Sequence, residues 1–523
     1  MFEEDLEILK ILNCNNASMI FNYATGNRRM SKEVLEKLED AIIATEYAMY
    51  ICFFAKNIEG ANIAKLEDAI IEIGDAKYIY HFARDIEEAN IAKLEDAIIK
   101  TGSIDYIFDF VKNVTGVNIE KFEDAIIKTG KLSTISRFAT EVEGVNIEKL
   151  EKAIIAIGRA DFIFLFAKDV DGAYIAKLED AIIVTGNAEY IYRFAREIKG
   201  ANFEKLENAI IVTGNAEYIY KFARDVKRAN VGKLEETIIA TGDAEYICEF
   251  AKNVTGADMP KLGEAIIATG KAEYIYKFAM ETKRANIAKL EEAMIATGNA
   301  KYIYLFARIG VVYESEIISL PKLEEAIINT GDAKYIYKFA KEVKGANISR
   351  LEDVIIATGD AEYIYCFARD VERVVIAKLG SVIISIGDAE YIYKFAKDVK
   401  RANIEKLEEA IMATRNVKYI CRFAKDVKGT NIAKLEDAII ATGNANDIYC
   451  FALVVGDANI IKLEDAIIAT EDAEYINSFA RDVIGANIEK LEEAIQKVEE
   501  NTKIIKKIQR KFQIYQKKKR END

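Results

Sequence analysis

Tyrosine is the residue whose placement most suggests chemistry in this 523-residue sequence. Of the 27 tyrosines, thirteen occupy the first aromatic position of a recurring Tyr-Ile-Tyr-x-Phe-Ala motif and nine occupy the second, as Tyr190 and Tyr192 do. Rows of aromatic rings could stack one unpaired base per repeat, which would make a nucleic-acid reader. Tyrosine also suits a seam between repeats that buries the ring and wets the hydroxyl. We favour the seam, because Phe164, Cys248 and Ser136 replace the second tyrosine in other copies.

A basic residue follows the Phe-Ala pair in 13 of the last 16 copies. The next residue is usually acidic, as in Arg224-Asp225, and the second half of each copy has its own Glu-Asp pair. We interpret these charges as solvated ion pairs between repeats, each worth about 0 to 1 kcal/mol. The alternative is a basic ladder that tracks the phosphates of RNA or DNA. The ladder includes Arg84, Lys168, Arg196, Arg224, Arg369, Lys397 and Arg481.

The position between the second Tyr and the Phe differs from copy to copy, while its neighbours keep their type. A specific surface built on a constant frame would vary in this way, and so would an unconstrained position facing solvent. As a hypothesis, this position contributes a candidate partner surface. Its basic members are Arg137, Arg193, Lys221, Lys277, Lys338, Lys394 and Arg422.

Residues for catalysis or metal binding are scarce. One His and six scattered Cys leave little material for a histidine-based triad or a His/Cys metal cage. Cys421 and Cys450 fall in neighbouring copies without further ligands, and His81 reads as a surface residue. The recurring Thr-Gly-Asn/Asp steps are typical of helix ends and do not match a phosphate-binding loop. We predict a protein that is not an enzyme and that uses no cofactor or metal.

The tyrosines and charged residues recur because the sequence is built from a repeat of 28 residues, whose secondary structure must position them. The motif phenylalanine recurs at this interval from Phe54 to Phe306 and, after one insertion, from Phe339 to Phe479. Tyr23 fills the same position in a divergent first copy, which makes 17 copies. The Leu of Lys-Leu-Glu-Asp runs in step with the Phe. One repeated unit therefore accounts for nearly the whole length.

Each copy has the pattern of two short helices, as residues 214–241 show. From Ile219, apolar residues fall at i, i+3, i+4 and i+7, which is one stripe of a helix. A second stripe begins after Asn230. Gly214 suits a left-handed helix end, and Asn215 and Asn230 suit N-caps.

Helices of about 11 residues are marginal alone, so neighbouring pairs must bury each other's apolar faces. The predicted fold class is therefore all-α, an α-solenoid of about 17 two-helix repeats of 28 residues forming an elongated superhelix. It resembles the α-solenoid superfamily of tetratricopeptide, armadillo and HEAT arrays in its helical-hairpin logic. The unit is shorter than theirs and its motifs identify no specific family. The resemblance implies a scaffold that binds other macromolecules.

We divide the chain into an N-terminal capping helix (1–16), the repeat array (17–498) and a basic amphipathic helix or tail (499–523). The array is irregular near 308–320 and 371–381. The first irregularity contains an insertion, and the second has Gly380 in place of the usual Glu. Either could be drift in a tolerant loop or a hinge or apolar knob. The candidate knob residues are Val311, Val312 and Tyr313.

The tail carries nine Lys or Arg against four Asp or Glu, a net charge of +5. Since the whole chain has a net charge of −14, the rest of the chain has a net charge of −19. Its candidate basic residues are Lys503, Lys506, Lys507, Arg510 and Lys511, opposite an apolar stripe of Ile504, Ile505, Ile508, Phe512 and Tyr515. We favour a C-terminal cap whose stripe covers the last hairpin. The alternative is docking on a membrane surface, a nucleic acid or an acidic partner.

Composition bounds the function to a class. The acidic balance disfavours a generally nucleic-acid-binding surface. The start is acidic, unlike a secretory signal, and no run of 18 apolar residues predicts a transmembrane segment. Irregularly spaced cysteines suggest reduced thiols and a cytoplasmic location. We predict a binding scaffold with a protein partner, and a nucleic-acid binder using the basic ladder and tail as the alternative.

Overall fold

The computed structural model describes residues 8–27, 30–282, 285–312 and 318–522, without the side chains of 310–312, 512 and 514–522. The chain divides into two compact units, Met1–Asp258 and Met259–Asp523. In the described residues of both units, all regular secondary structure is helical. Each unit is a tandem array of helical hairpins, which confirms the predicted all-α solenoid of two-helix repeats. The elongated superhelix stays a prediction.

The first helix of each repeat carries the Tyr-Ile-Tyr-x-Phe-Ala motif. In the first unit these helices span Ala17–Gly26, Ala48–Asn57, Ala76–Asp85, Ile104–Asn113, Leu132–Glu141, Ala160–Asp169, Ala188–Glu197, Ala216–Asp225 and Ala244–Asn253. In the second unit they span Ala272–Glu281, Ala300–Val312, Ala333–Glu342, Ala361–Asp370, Ala389–Asp398, Val417–Asp426, Ala445–Val454 and Ala473–Asp482.

The second helix of each repeat carries the Lys-Leu-Glu-Asp motif. In the first unit these helices span Lys32–Ala44, Ile63–Ile73, Ile91–Thr101, Ile119–Lys128, Ile147–Ile157, Ile175–Val184, Phe203–Thr213 and Val231–Thr241. In the second unit they span Met259–Ala268, Ile287–Ala296, Leu320–Thr330, Ile348–Thr358, Ile376–Ile386, Ile404–Ala413, Ile432–Ile440, Ile460–Ala469 and Ile488–Asn522.

The helix ends follow the predicted punctuation. Asn215 Oδ1 accepts a hydrogen bond from the Tyr218 N–H, and Asn230 caps the next helix in the same way. Gly214 has φ +63°, the left-handed conformation that glycine adopts without strain. These local signals fix where each short helix starts and stops.

The core lies between the helices of successive repeats. In one repeat Ile219 and Phe222 of the first helix and Leu234 and Ile238 of the second are fully buried. The same positions are buried in each unit, because within a unit the hairpins pack on their neighbours. This packing stabilises helices that would be marginal in isolation.

The insertion lengthens one first helix, Ala300–Val312, to 13 residues. The next helix begins at Leu320 with Ser319 as its N-cap. Tyr313 and the side chains of Val311 and Val312 lie outside the described residues, so the knob or hinge hypothesis stays a prediction. Of the N-terminal capping helix, residues 8–12 are helical and residues 1–7 lie outside the description.

Candidate functional site

Neighbouring repeats meet along two chemically different seams. The buried carboxylate seam joins second helices and is formed by the Glu of Lys-Leu-Glu-Asp and the backbone of the next repeat. The tyrosine seam joins first helices and is formed by the second motif Tyr, the basic residue after Phe-Ala and the acidic residue that follows it.

In the buried carboxylate seam, Glu207 is representative. It is 4% exposed, and its Oε2 accepts a hydrogen bond of 2.6 Å from the Asn230 N–H, 23 residues further along the chain. The donor is the backbone of the residue that caps the next second helix. The glutamates buried in this way are Glu39, Glu67, Glu95, Glu123, Glu151, Glu179, Glu207 and Glu235 in the first unit, and Glu291, Glu324, Glu352, Glu408, Glu436 and Glu464 in the second.

The prediction that the Glu-Asp pairs are solvated is therefore wrong for the Glu. Only the acidic residue after it stays exposed, as Asp68 does beside Glu67. The hydrogen bond to a backbone N–H explains why the residue that caps the helix can vary: Tyr174 and Val375 donate to their glutamates as Asn residues do elsewhere. An unpaired buried carboxylate would be costly, so this bond holds consecutive repeats in register.

A lysine in the first turn of the next second helix adds a cation to this seam. Lys93 Nζ lies 3.0 Å from Asp68 Oδ1 and 3.8 Å from Glu67 Oε1. Burial raises the pKa of Glu67, while the Asn90 N–H and the Lys93 ammonium act to lower it. The buried oxygen Oε1 of Glu67 has no hydrogen-bond donor among the described residues.

In the tyrosine seam, Tyr365 is representative. Its hydroxyl donates to Asp398 Oδ2 of the next repeat at 2.6 Å and accepts from Arg369 Nη1 at 3.0 Å. Arg369 in turn pairs with Asp370 at 2.7 Å. Burial and then Asp398 raise the pKa of Tyr365. The ring is buried at 6% exposure and lies 6.2 Å from the ring of Tyr391, the first motif Tyr of the next repeat.

The seam interpretation of the second tyrosine is confirmed by this burial, since its ring packs between repeats. The described second tyrosines with buried rings are Tyr80, Tyr192, Tyr220, Tyr304, Tyr365 and Tyr393. Rings held between repeats in this way are not free to stack on nucleic-acid bases.

The predicted basic ladder is paired with carboxylates. Five of the arginines pair with the acidic residue next to them, as Arg84 does with Asp85 at 2.8 Å. Arg308, which is followed by Ile309, instead reaches Glu342 of the next repeat at 3.4 Å. Five of the lysines reach the acidic residue of the next repeat, as Lys397 does with Asp426 at 3.2 Å. For Lys425 the corresponding residue of the next repeat is Val454. The Arg481 guanidinium lowers the pKa of Asp482 to about 2. The ladder is therefore a row of ion pairs, as predicted from the sequence, with its charge largely compensated.

The candidate partner surface lies on the first helices beside the motif rings. Arg137 and Arg422 are exposed, and the other five residues are half-buried. Arg137 pairs with Glu141 at 2.7 Å, with its guanidinium 4.4 Å from the centre of the Phe108 ring. In the same way Lys221, Lys338, Lys394 and Arg193 lie over tyrosine rings.

The tail does not form the C-terminal cap that the sequence analysis favoured. The last second helix continues to Asn522 without turning into another hairpin. Ile504, Ile505 and Ile508 are 55%, 54% and 60% exposed, so the prediction that this stripe covers the last hairpin is wrong. The side chains of Phe512 and Tyr515 lie outside the described residues. The five candidate basic residues, Lys503, Lys506, Lys507, Arg510 and Lys511, are all exposed on this helix.

No group of three or more His, Cys, Asp or Glu that could hold a metal ion occurs in the part of the chain that the structure describes. Within the same residues, no helix combines the length and apolar character needed to cross a membrane. Burial raises the pKa of the Cys52 and Cys421 thiols to about 12, so these two cysteines are poor nucleophiles.

The helices and seams together define a repeat protein of the α-solenoid class. No protein-family model and no curated protein matches the sequence. Solved structures that are similar include a protective antigen of uropathogenic Escherichia coli strains displaying an SLR fold, at 12% identity, covering 74% of this chain and 95% of that chain, with a TM-score of 0.19.

An engineered protein is 13% identical and covers 95% of this chain and 98% of its own, with a TM-score of 0.10. The structure of SYS-1 is 12% identical, and the match covers 94% of this chain and 92% of SYS-1, with a TM-score of 0.12. The helical hairpins and the buried contacts between them define the α-solenoid class.

Proposed function

We propose that this protein is a non-enzymatic α-solenoid scaffold whose first helices bind a protein partner. The observation that carries the proposal is the contrast on those helices between constant and variable positions. The buried Phe and Ile stay the same from repeat to repeat, while the residue between Tyr and Phe changes in type and charge. A surface of this kind can be specific for one partner without altering the frame.

Nucleic acid is the less favoured partner because the basic ladder is compensated. Most of its arginines and lysines form ion pairs with Asp or Glu, as Arg224 does with Asp225 at 2.7 Å. Binding phosphates would require those pairs to break. The exposed cations of the tail remain the best argument for a nucleic acid, and they are few beside the acidic total.

The test is affinity capture of the full chain with two matched double variants. Arg193→Glu with Lys221→Glu reverses two cations of the candidate partner surface. Lys100→Glu with Lys128→Glu reverses two exposed cations of second helices and is the control. We expect the first pair to lower recovery of a specific protein by about tenfold or more and the control to leave it within about twofold.

Recovered material is identified by mass spectrometry, and co-purifying RNA and DNA are quantified in the same fractions. Recovery of nucleic acid alone would replace the proposal with its alternative. Equal recovery of the protein by both double variants would place the binding surface elsewhere. Melting temperatures of the variants show that each remains folded.

A further inference from the structure

Two second helices of the second unit lack the buried glutamate, with Gly263 and Gly380 in its place. The consequence is visible at Gly263. In the regular repeats the carboxylate accepts the N–H of the residue that caps the next second helix. Here that residue is Asn286, and its backbone N–H has no acceptor among the described residues.

A cavity of about 320 Å³ lies at this position. A cavity of about 440 Å³ also lies beside Glu207, Asn230 and Lys233 of a regular repeat, so the missing carboxylate, and not the space, distinguishes the Gly263 site. Its walls combine apolar surface with polar groups, and Asn286 and Lys289 of the next helix form one side. A Cβ on Gly263 would lie 3.4 Å from Cε1 of Phe278, a residue of the following first helix. The lining includes Met259, Pro260, Gly263, Glu264, Asn286 and Lys289.

The regular repeats show which chemical group fits such a site. At Glu67 the carboxylate accepts the Asn90 N–H at 2.6 Å, with the Lys93 ammonium beside it. Lys289 corresponds to Lys93, and Asn286 corresponds to Asn90. Both donors that hold the carboxylate in a regular repeat are therefore present at the cavity, and the carboxylate is the part that is missing.

Charge leads to the same conclusion. In the regular site, Lys93 is shared between the carboxylates of Glu67 and Asp68. At the cavity Lys289 has one carboxylate, Glu264 Oε1 at 2.8 Å. An incoming carboxylate would restore the regular balance of two anions around one lysine, despite the repulsion from Glu264. The methylene groups of its stem would contact Met259 and Pro260.

We propose that the cavity at Gly263 binds a carboxylate on a short aliphatic stem, supplied by a glutamate side chain of the protein partner. The proposal rests on the proposed function for the existence of that partner. A ligand as small as propionate makes too few contacts to bind tightly on its own, whereas a side chain within a larger interface gains affinity from its neighbours.

The direct test uses the full chain labelled with ¹⁵N-asparagine and followed by NMR during titration with sodium propionate. We expect the Asn286 amide signal to shift and saturate, with a dissociation constant on the order of 10 mM. The Asn90 amide, whose site is occupied by Glu67, is the internal control and should stay in place. Sodium chloride and 1-propanol at the same concentrations test the anion and the aliphatic stem separately.

Three variants sharpen the measurement. Lys289→Gln should weaken propionate binding about fivefold or more, because it removes the cation. Lys93→Gln, the matched change in a regular repeat, should leave it unchanged. Gly263→Glu should abolish the response and move the Asn286 signal toward that of Asn90, and the other asparagine signals show whether this variant is folded.

A motionless Asn286 signal, an equal shift with chloride, or a parallel shift of Asn90 would overturn the proposal. Capture experiments then separate it from the proposed function. A protein recovered by the wild type and lost from Gly263→Glu supports the glutamate side chain as the ligand. A protein recovered equally by both overturns that source and leaves the scaffold function intact. A propionate response without any captured protein would uphold the carboxylate site and count against the partner.

Discussion

The buried carboxylate seam and the tyrosine seam solve the same problem, joining one repeat to the next, with different partners. In the buried carboxylate seam a side chain meets a backbone N–H, as Glu207 meets Asn230. In the tyrosine seam side chains meet side chains at the edge of solvent, as Tyr365 meets Arg369 and Asp398. The comparison teaches that the backbone-bound seam tolerates only Glu or Gly, whereas the side-chain seam tolerates Phe, Cys, Ser and Asn.

The largest effect should come from removing a buried carboxylate. Glu207→Ala removes the acceptor of the Asn230 N–H and the side chain that fills the buried position, and we expect the local free energy of unfolding to fall by about 2–3 kcal/mol. Hydrogen exchange of the amides in Val231–Thr241 measures this locally, which suits an array that need not unfold in one step.

Glu492→Ala is the control, since Glu492 is exposed where the last second helix continues without another hairpin. We expect this change to have an effect within about 0.5 kcal/mol. Equal effects at both positions would mean that the buried carboxylate contributes nothing beyond helix propensity.

The converse change should stabilise. Gly263→Glu restores the seam and removes a helical glycine, and we expect a gain of about 1–2 kcal/mol after some crowding against Phe278. Gly232→Glu replaces an exposed helical glycine, and its free energy of unfolding should rise only by the difference in helix propensity, about 1 kcal/mol. Thermal melting of the two variants compares them, and a smaller gain at residue 263 than at residue 232 would contradict the seam argument.

A smaller effect is expected in the tyrosine seam. Tyr365→Phe keeps the packed ring and loses the hydroxyl bonds to Asp398 and Arg369, which should cost about 1 kcal/mol. Phe164 occupies the same position in another repeat, so the fold should tolerate the change. Hydrogen exchange of the amides in Ala361–Asp370 measures the cost, and a loss as large as that for Glu207→Ala would erase the difference between the seams.

The smallest effect should be an opposite pH dependence of the two seams. The pKa of Glu67 is raised by burial, so its contribution to stability is complete below its unfolded pKa of about 4.3 and is lost as pH rises through the folded pKa. The pKa of Asp225 is lowered, first by Arg224, so its contribution is present above about 3.9 and is lost as pH falls through the folded pKa.

Urea unfolding from pH 7 to pH 3 separates these two contributions. As pH falls, the stability of Glu67→Gln should decrease relative to the wild type, because the variant lacks the gain on protonation. The deficit of Asp225→Asn should instead shrink below about pH 4. Parallel pH profiles for the two variants would show that the seams do not differ electrostatically.

Much of the fold could be predicted because its signals are local. Asn215 and Asn230 cap their helices, and Gly214 ends one, through contacts within a few residues. The tyrosine seam could also be predicted from the sequence, since a tyrosine favours a position where its ring is buried and its hydroxyl reaches solvent. The buried carboxylate seam was missed because each Glu binds an N–H 23 residues away, in the next repeat. The signal that the sequence offered is that this Glu is kept in every repeat except two, where Gly263 and Gly380 replace it.

The tail shows where a local pattern fails to predict burial. Its stripe of Ile504, Ile505 and Ile508 has the pattern of a buried face, yet these residues are exposed because the helix extends past the last hairpin. A helical pattern reports which residues share a face and says nothing about what lies opposite.

The sequence by itself determined the 28-residue period, the two helices of each repeat and the positions of their ends, because periodicity, caps and left-handed glycines act over one or two turns. The tertiary structure alone decided which charges are buried, which rings are paired and where a cavity opens at Gly263. Those outcomes depend on the stacking of one repeat on the next, since a carboxylate is buried only where the neighbouring backbone supplies the donor that offsets its desolvation.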